Sequence, residues 1–262
     1  MKKILTTLLL IPSLAFGWSP EDANKAINQT NFIVDDRCSG TLVSLDPHLI
    51  LTNYHCVDHK VRSQMQEVVK DGEITEVKQE RLYDVPVSQN SYRRYELVGK
   101  AEYQTEIVAK EKGKDLALLE IKADDTPHTI FSPIPAKDRN VVRGETAYAV
   151  GNPRMLDATI TKDIVSSTTR TMRPPWANND KIPFLQYDGG AAPGSSGGAL
   201  YDDNGFLIGV PAAGVSDTLV FAIHTDLIRE FLDTSCYPIY LNGELGEQCA
   251  DWGELGFSED EE

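Results

Sequence analysis

The sequence predicts an all-β chain folded as a sandwich or a barrel, and three observations carry that prediction. Leucine, β-branched and aromatic residues gather in short runs, Gly, Pro, Asn and Asp break those runs at frequent intervals, and helical periodicity is confined to two short stretches. Short strands cannot bury their apolar faces singly, so they stack as two sheets or close on one another.

In chain order the predicted strands are "SGTLVSL", "HLILTN", "YELVGKAEY", "TEIVAKE", "DLALLEI", "ETAYAVG", "TITKDIVSSTT", "FLQYDG", "GALYDD" and "FLIGVPAAG". The first helix is "SPEDANKAI", with Ser19 as N-cap and Pro20 at the first helical position, where its missing N–H is no loss. The second is "TDLIREFLDT", which places Leu227, Ile228, Phe231 and Leu232 on one face. Residues 60–92 are polar and charge-laden and are expected to form a long excursion from the barrel.

The chain opens MKKILTTLLLIPSLAFG: two lysines, an apolar run from Ile4 to Ile11, then small residues up to Gly17. That is the pattern of a cleavable export leader, and the run is too short to span a bilayer. Residues 1–17 are therefore expected to be removed, leaving a secreted or periplasmic chain from Trp18 with no membrane insertion. Lys and Arg number 25 against 40 Asp and Glu, a net charge of −15, and loss of Lys2 and Lys3 makes it two units more negative. Such a charge repels phosphate backbones, so nucleic acid is not an expected partner. Residues 246–262 end in four consecutive acids and read as a solvated tail. Cys38, Cys56, Cys236 and Cys249 allow three pairings in an oxidising compartment, the simplest being the local Cys38–Cys56 and Cys236–Cys249. There is no CxxC or tight Cys/His cluster of the kind structural zinc needs, and no metal or cofactor is expected.

The stretch "AAPGSSGGALYDDNG", residues 191–205, fits either a surface loop between strands or a nucleophile loop with Ser196 as the reactive hydroxyl. A serine hydroxyl is a weak nucleophile at neutral pH. It needs an imidazole to take its proton, a buried carboxylate to orient that imidazole, and backbone N–H groups aimed at the developing oxyanion. Gly194 permits the backbone to turn its amide inward beside that of Ser196. Of the five histidines, His55 follows the apolar "LILTN" and precedes Cys56, whose disulfide would hold the backbone beside it. The alternatives are a structural histidine, or a metal chelate with His59 at i+4, for which no third ligand is evident. Asp115, in "GKDLALLEI", either caps a strand start or is buried there, where it would need a partner such as an imidazole N–H.

"CSGTLVSLDPHLILTNYHC", "KDLALLEI", "AYAVGNPRMLDATITKDIVSS", "GSSGGALYDDNGFLIGV" and "FAIHTDLIREFL" resemble, in that order, the landmarks of the chymotrypsin-like serine proteases. The bacterial HtrA-type and glutamyl-endopeptidase-like branches are the most similar, over roughly residues 33–233. The resemblance implies two six-stranded antiparallel β-barrels with a C-terminal helix, the barrels spanning roughly 31–125 and 126–235 of a protease domain at 18–245. It implies His55 as general base, Asp115 as its orienter, Ser196 as nucleophile and the amides of Gly194 and Ser196 as the oxyanion hole. Cys38 and Cys56 match two cysteines that many family members bridge. Protein or peptide substrates are the implied partners, cleaved through an acyl-enzyme. A catalytically silent relative serving as a binding or chaperone-like module is the alternative. Such relatives usually lack a catalytic residue, whereas all three are present here. A latent enzyme held off by residues 60–92 is a further alternative.

The sequence departs from the family in three places. Ser195 stands where Asp or Asn usually precedes the nucleophile. No Ile or Val follows a basic residue near residue 30, so residues 18–30 are expected to pack as a lead-in helix. Too little chain follows residue 233 for the PDZ domain of HtrA-type proteins, so sensing by that route is not expected. By resemblance the specificity pocket comprises Gly190, Ala191, Pro211, Ala212, Gly214 and His224. Gly190 stands six before the nucleophile, where an acid would select Arg or Lys. Pro211 and Ala191 replace the histidine and hydroxyl of the glutamyl enzymes. The expected preference is for small or medium uncharged side chains.

Overall fold

The computed structural model describes residues 19–245 except 71–72, 94–95, 123–127, 133, 135–138, 175–180, 191, 217–218, 236–239 and 242–243. The leader at 1–17, the acidic tail at 246–262, Ala191 and the Cys236–Cys249 pairing lie outside the described residues. Helix α1 (Pro20–Thr30) starts as expected, the Ser19 carbonyl accepting the Ala23 N–H at 2.9 Å. Next come β1 (Asn31–Val34), β2 (Cys38–Leu45), β3 (His48–Thr52), the one-turn helix α2 (Tyr54–Val57), β4 (Val61–Lys70) and β5 (Glu73–Leu82). β6 (Val85–Arg93), β7 (Glu96–Glu111) and β8 (Leu116–Ile121) complete the first half. The second half holds β9 (Thr146–Gly151), β10 (Thr159–Met172), β11 (Ile182–Tyr187), β12 (Ala199–Tyr201), β13 (Leu207–Ser216), β14 (Leu219–His224) and α3 (Thr225–Ser235). Two further two-residue strands, Tyr240–Leu241 and Glu244–Leu245, pair with each other.

The strands close into two antiparallel barrels of six, ordered β1-β2-β3-β8-β7-β6 and β10-β11-β14-β13-β12-β9, as the resemblance implied. Several strands are apolar at consecutive positions because both of their faces are covered. In β8, Ala117, Leu119 and Ile121 face the first barrel's interior with Phe32, Leu42, Ile50 and Val85. Leu116 and Leu118 turn the other way and join Leu49 and Leu51 against Phe184, Val210 and Phe221 of the second barrel and Ile228 and Phe231 of α3. This shared layer welds the barrels together, and truncating a fully buried member such as Leu118 to Ala is worth about 2–5 kcal/mol. The second barrel has its own interior, where Val165, Leu185, Leu200, Ile208 and Ala222 meet.

Two expectations need correction. Residues 60–92 are not a single excursion: β4 and β5 pair with each other outside the barrels, but β6 is a barrel strand with Val85 and Val87 buried. The alternation of "VPV" between charged segments is the signal for that strand. "YELVGKAEY" and "TEIVAKE" are one continuous strand, β7, which pairs with β6 along its first part and β8 along its second.

Candidate active site

The end of β3 and the start of β8 are hydrogen-bonded neighbours, with Thr52 opposite Ala117, and this brings the residues just beyond them together. His55 sits in α2 and Asp115 in the turn before β8. His55 Nδ1 lies 2.8 Å from Asp115 Oδ2, and the His55 N–H donates to Asp115 Oδ1 at 2.9 Å. The Asp115 carbonyl accepts from Tyr54 N–H at 3.1 Å and from Asn53 Nδ2 at 3.0 Å. Asp115 is wholly buried and adopts φ 55°, a left-handed conformation that Asp tolerates better than most residues. A carboxylate only accepts, so Nδ1 carries the proton and Nε2 is the basic nitrogen of the neutral ring. The ring is one-third exposed and open to a substrate.

Cys56, next to His55, is bonded to Cys38 at the start of β2. Possible ligand atoms of Cys38, His55 and Cys56 lie within 4.8 Å of one another, but both sulfurs are oxidised, which leaves no thiolate for a metal. His59, at i+4 from His55, is engaged elsewhere. His59 Nε2 lies 2.7 Å from Asp35 Oδ2 in the β1–β2 turn, and His59 Nδ1 lies 3.3 Å from the Arg37 guanidinium.

The loop before β12 separates its two serines. Ser195 is buried and its Oγ accepts the Ala192 N–H at 3.3 Å, within its own turn. Ser196 is half-buried, with its carbonyl 2.8 Å from the Ser39 N–H and 3.8 Å from Cys56 Sγ, beside the imidazole-bearing helix. Gly194 has φ +103°, and a Cβ there would lie 2.4 Å from the Asn152 carbonyl oxygen. The Pro193 carbonyl accepts the Arg154 N–H at 2.7 Å from a turn, residues 153–155, in which Arg154 and Met155 also have positive φ. Because a trans peptide holds its N–H opposite its carbonyl, this bond turns the Gly194 N–H away from the turn.

A cavity of about 390 Å³ opens beside Ser196. Of the residues expected in the specificity pocket, Pro211, Ala212 and Gly214 line this cavity, whereas Gly190 and His224 are not among its walls. His224, at the end of β14, accepts the Asp226 N–H on Nδ1 at 3.1 Å and so faces the first turn of α3, where burial holds its pKa below the usual range. Ala192, Pro193, Ser195, Ala213, Val215, Ser216 and Val220 make up the rest of the lining beside Ser196, and no charged residue lines the cavity among the described residues. Val215 and Ser216 belong to a β13 end that runs beyond the predicted strand. Ser39 and Asn152 also reach the site unannounced; their only signals are positions next to Cys38 and directly after β9.

Comparison with known proteins places the chain in a family. Residues 38–210 match the trypsin-like peptidase domain family. The chain is 29% identical to serine protease HTRA1A of Danio rerio over 197 residues, which is 75% of this chain and 34% of that protein. It is 30% identical to chloroplastic protease Do-like 1 of Arabidopsis thaliana over 146 residues, 53% of this chain and 33% of that one. It is 28% identical to a probable periplasmic serine endoprotease, DegP-like, of Hahella chejuensis over 147 residues, 53% of this chain and 30% of that one. The chain thus spans about a third of the length of the curated relatives it matches. A solved HtrA-type protease, AlgW with a tripeptide, superposes with a TM-score of 0.58 and 23% identity, over 83% of this chain and 63% of that one, which speaks for the fold. With its double barrel and the match over residues 38–210, this chain belongs to the trypsin-like peptidase domain family.

Proposed function

We propose that this protein is a serine endopeptidase in which Ser196 attacks, His55 moves the proton and Asp115 orients His55. The observation that carries the reading is the pair of hydrogen bonds that His55 donates to Asp115, one from the ring and one from the backbone, at the edge of a cavity whose wall includes a half-buried Ser196. Nε2 takes the Ser196 hydroxyl proton as Oγ bonds to the scissile carbonyl carbon, and the carbonyl electron pair moves onto oxygen, where the Gly194 and Ser196 N–H groups receive it. Collapse breaks the C–N bond while His55 returns the proton to the leaving amine. A water then repeats the sequence on the acyl-enzyme. Uncharged cavity walls of Ala, Pro, Val and Ser support a preference for small or medium uncharged side chains before the scissile bond. The leader-like residues 1–17 and the Cys38–Cys56 bridge support export to an oxidising compartment.

Fluorophosphonate labelling together with cleavage-site profiling on a peptide library tests this reading. The intact chain is expected to be labelled and to cut after small or medium uncharged residues, and Ser196→Ala is expected to lose both activities while melting normally. A folded wild-type chain that takes no label, or label that persists in Ser196→Ala, would overturn the assignment. A requirement for Arg or Lys before the cut would overturn the pocket reading alone.

A further inference from the structure

We propose that Ser39, its buried hydroxyl held by Asn152, is a positioning residue for Gly194, whose N–H stabilises the oxyanion, so that the first barrel braces the nucleophile loop of the second. The inference rests on the serine endopeptidase reading above. Ser39 lies in β2 and is wholly buried. A serine hydroxyl has one proton to donate and two lone pairs to accept with. Two N–H donors occupy the lone pairs: the Asn152 backbone at 2.8 Å and Asn152 Nδ2 at 3.1 Å. The proton is thereby committed to the Gly194 carbonyl, 2.7 Å away. The hydroxyl has no alternative orientation that leaves its neighbours satisfied.

This bond acts on the geometry that the hole requires. The Arg154 N–H fixes the peptide before Gly194, and Ser39 Oγ fixes the peptide after it, so φ and ψ of this unhindered residue are held from opposite barrels. Ser39 also donates its backbone N–H to the Ser196 carbonyl. One residue of the first barrel therefore holds the carbonyls of both residues whose N–H groups face the oxyanion. Asn152 is equally buried and keyed to the first barrel: Nδ2 donates to the Phe32 carbonyl at 2.8 Å, and Oδ1 accepts Asn31 Nδ2 at 2.9 Å. Its Oδ1 also accepts the Ala158 N–H at 3.0 Å, tying in the chain just past the 153–155 turn. Ser39 touches neither substrate nor reacting atoms, and its effect passes through Gly194.

The test compares the full-length wild type with Ser39→Ala. Removing a hole donor outright costs 10²–10³ in kcat, so loosening one is expected to lower kcat about 10- to 100-fold with KM within about threefold. A peptide boronate, whose tetrahedral adduct places an oxygen in the hole, is expected to weaken by the same factor as kcat, while a product-like peptide acid binds unchanged. Ser39→Cys, a poorer hydrogen-bonding group of similar shape, serves for the same comparison if Ser39→Ala does not fold. An unchanged kcat overturns the proposal, as does an equal weakening of boronate and product, which marks general structural damage. A wild type that takes no fluorophosphonate label indicts the endopeptidase reading, whereas a labelled wild type with an unaffected Ser39 variant indicts only the brace.

Discussion

The two barrels contribute to the site by different physical means. The first presents side-chain chemistry on a rigid frame: Asp115, wholly buried, is met by two bonds from His55 and two to its carbonyl, next to the Cys38–Cys56 bridge. The second presents backbone chemistry in a loop that depends on unusual dihedrals, with positive φ at Arg154, Met155, Gly194 and Gly197. Half of the site is thus vulnerable to changes of functional group and the other half to changes of volume. A second buried aspartate makes the contrast from the other side. Asp163, on β10, accepts a bond from Thr161 Oγ1 at 2.7 Å, but no cation lies beside it among the described residues, and burial holds its carboxyl above the usual range, with Asp188 adding to the shift.

The largest expected effect breaks the first half. Asp115→Asn can answer only one of the two His55 donors and favours the wrong ring tautomer, so kcat is expected to fall on the order of 10⁴-fold with the fold retained, as read by single-turnover kinetics beside a melting curve. Gly194→Ala strikes the second half by volume. Its Cβ would meet the Asn152 carbonyl and Met155 Cε at 2.4 and 2.7 Å, and the loop must shift, for an expected kcat loss of about 10²–10³-fold at nearly constant KM. A near-wild-type Gly194→Ala would show that the loop's backbone is not what holds the hole.

Asp163→Asn probes the difference between the two aspartates. Because the folded carboxyl binds its proton more tightly than the unfolded one, the stability tied to that proton is complete below the ordinary value of 3.8 and is lost as pH rises through the folded value. At pH 7 the ionised carboxylate is a liability. Asn is therefore expected to stabilise by on the order of 1 kcal/mol there, the scale of ordinary single-site effects, with the gain shrinking as the pH approaches 3.8. A gain independent of pH would refute the cause. The smallest effect is expected at Gly190, where an added Cβ meets nothing within 4 Å. Gly190→Ala should keep kcat/KM within about twofold, and a large loss would place that residue in the substrate path after all.

The amino-acid order alone carries the strand-rich character, both helices and the succession of the His, Asp and Ser landmarks. Each of these rests on local pattern: apolar runs between turn residues, Pro20 opening one helix, four apolar residues on one face of the other. It also marks Ser196 rather than its neighbour as the expected nucleophile through the glycine framework, and Ser195 is buried with its Oγ accepting the Ala192 N–H. Which residues touch the loop and which wall the cavity follows instead from contacts between distant segments of the chain. Ser39 and Gly194 are 155 positions apart, and their bond exists because β2 and the nucleophile loop are packed across the barrel junction. His224 and Val215 illustrate the same limit: the direction a side chain takes at a strand end depends on the twist and register shifts of β13 against β14, and these depend on partners far along the chain.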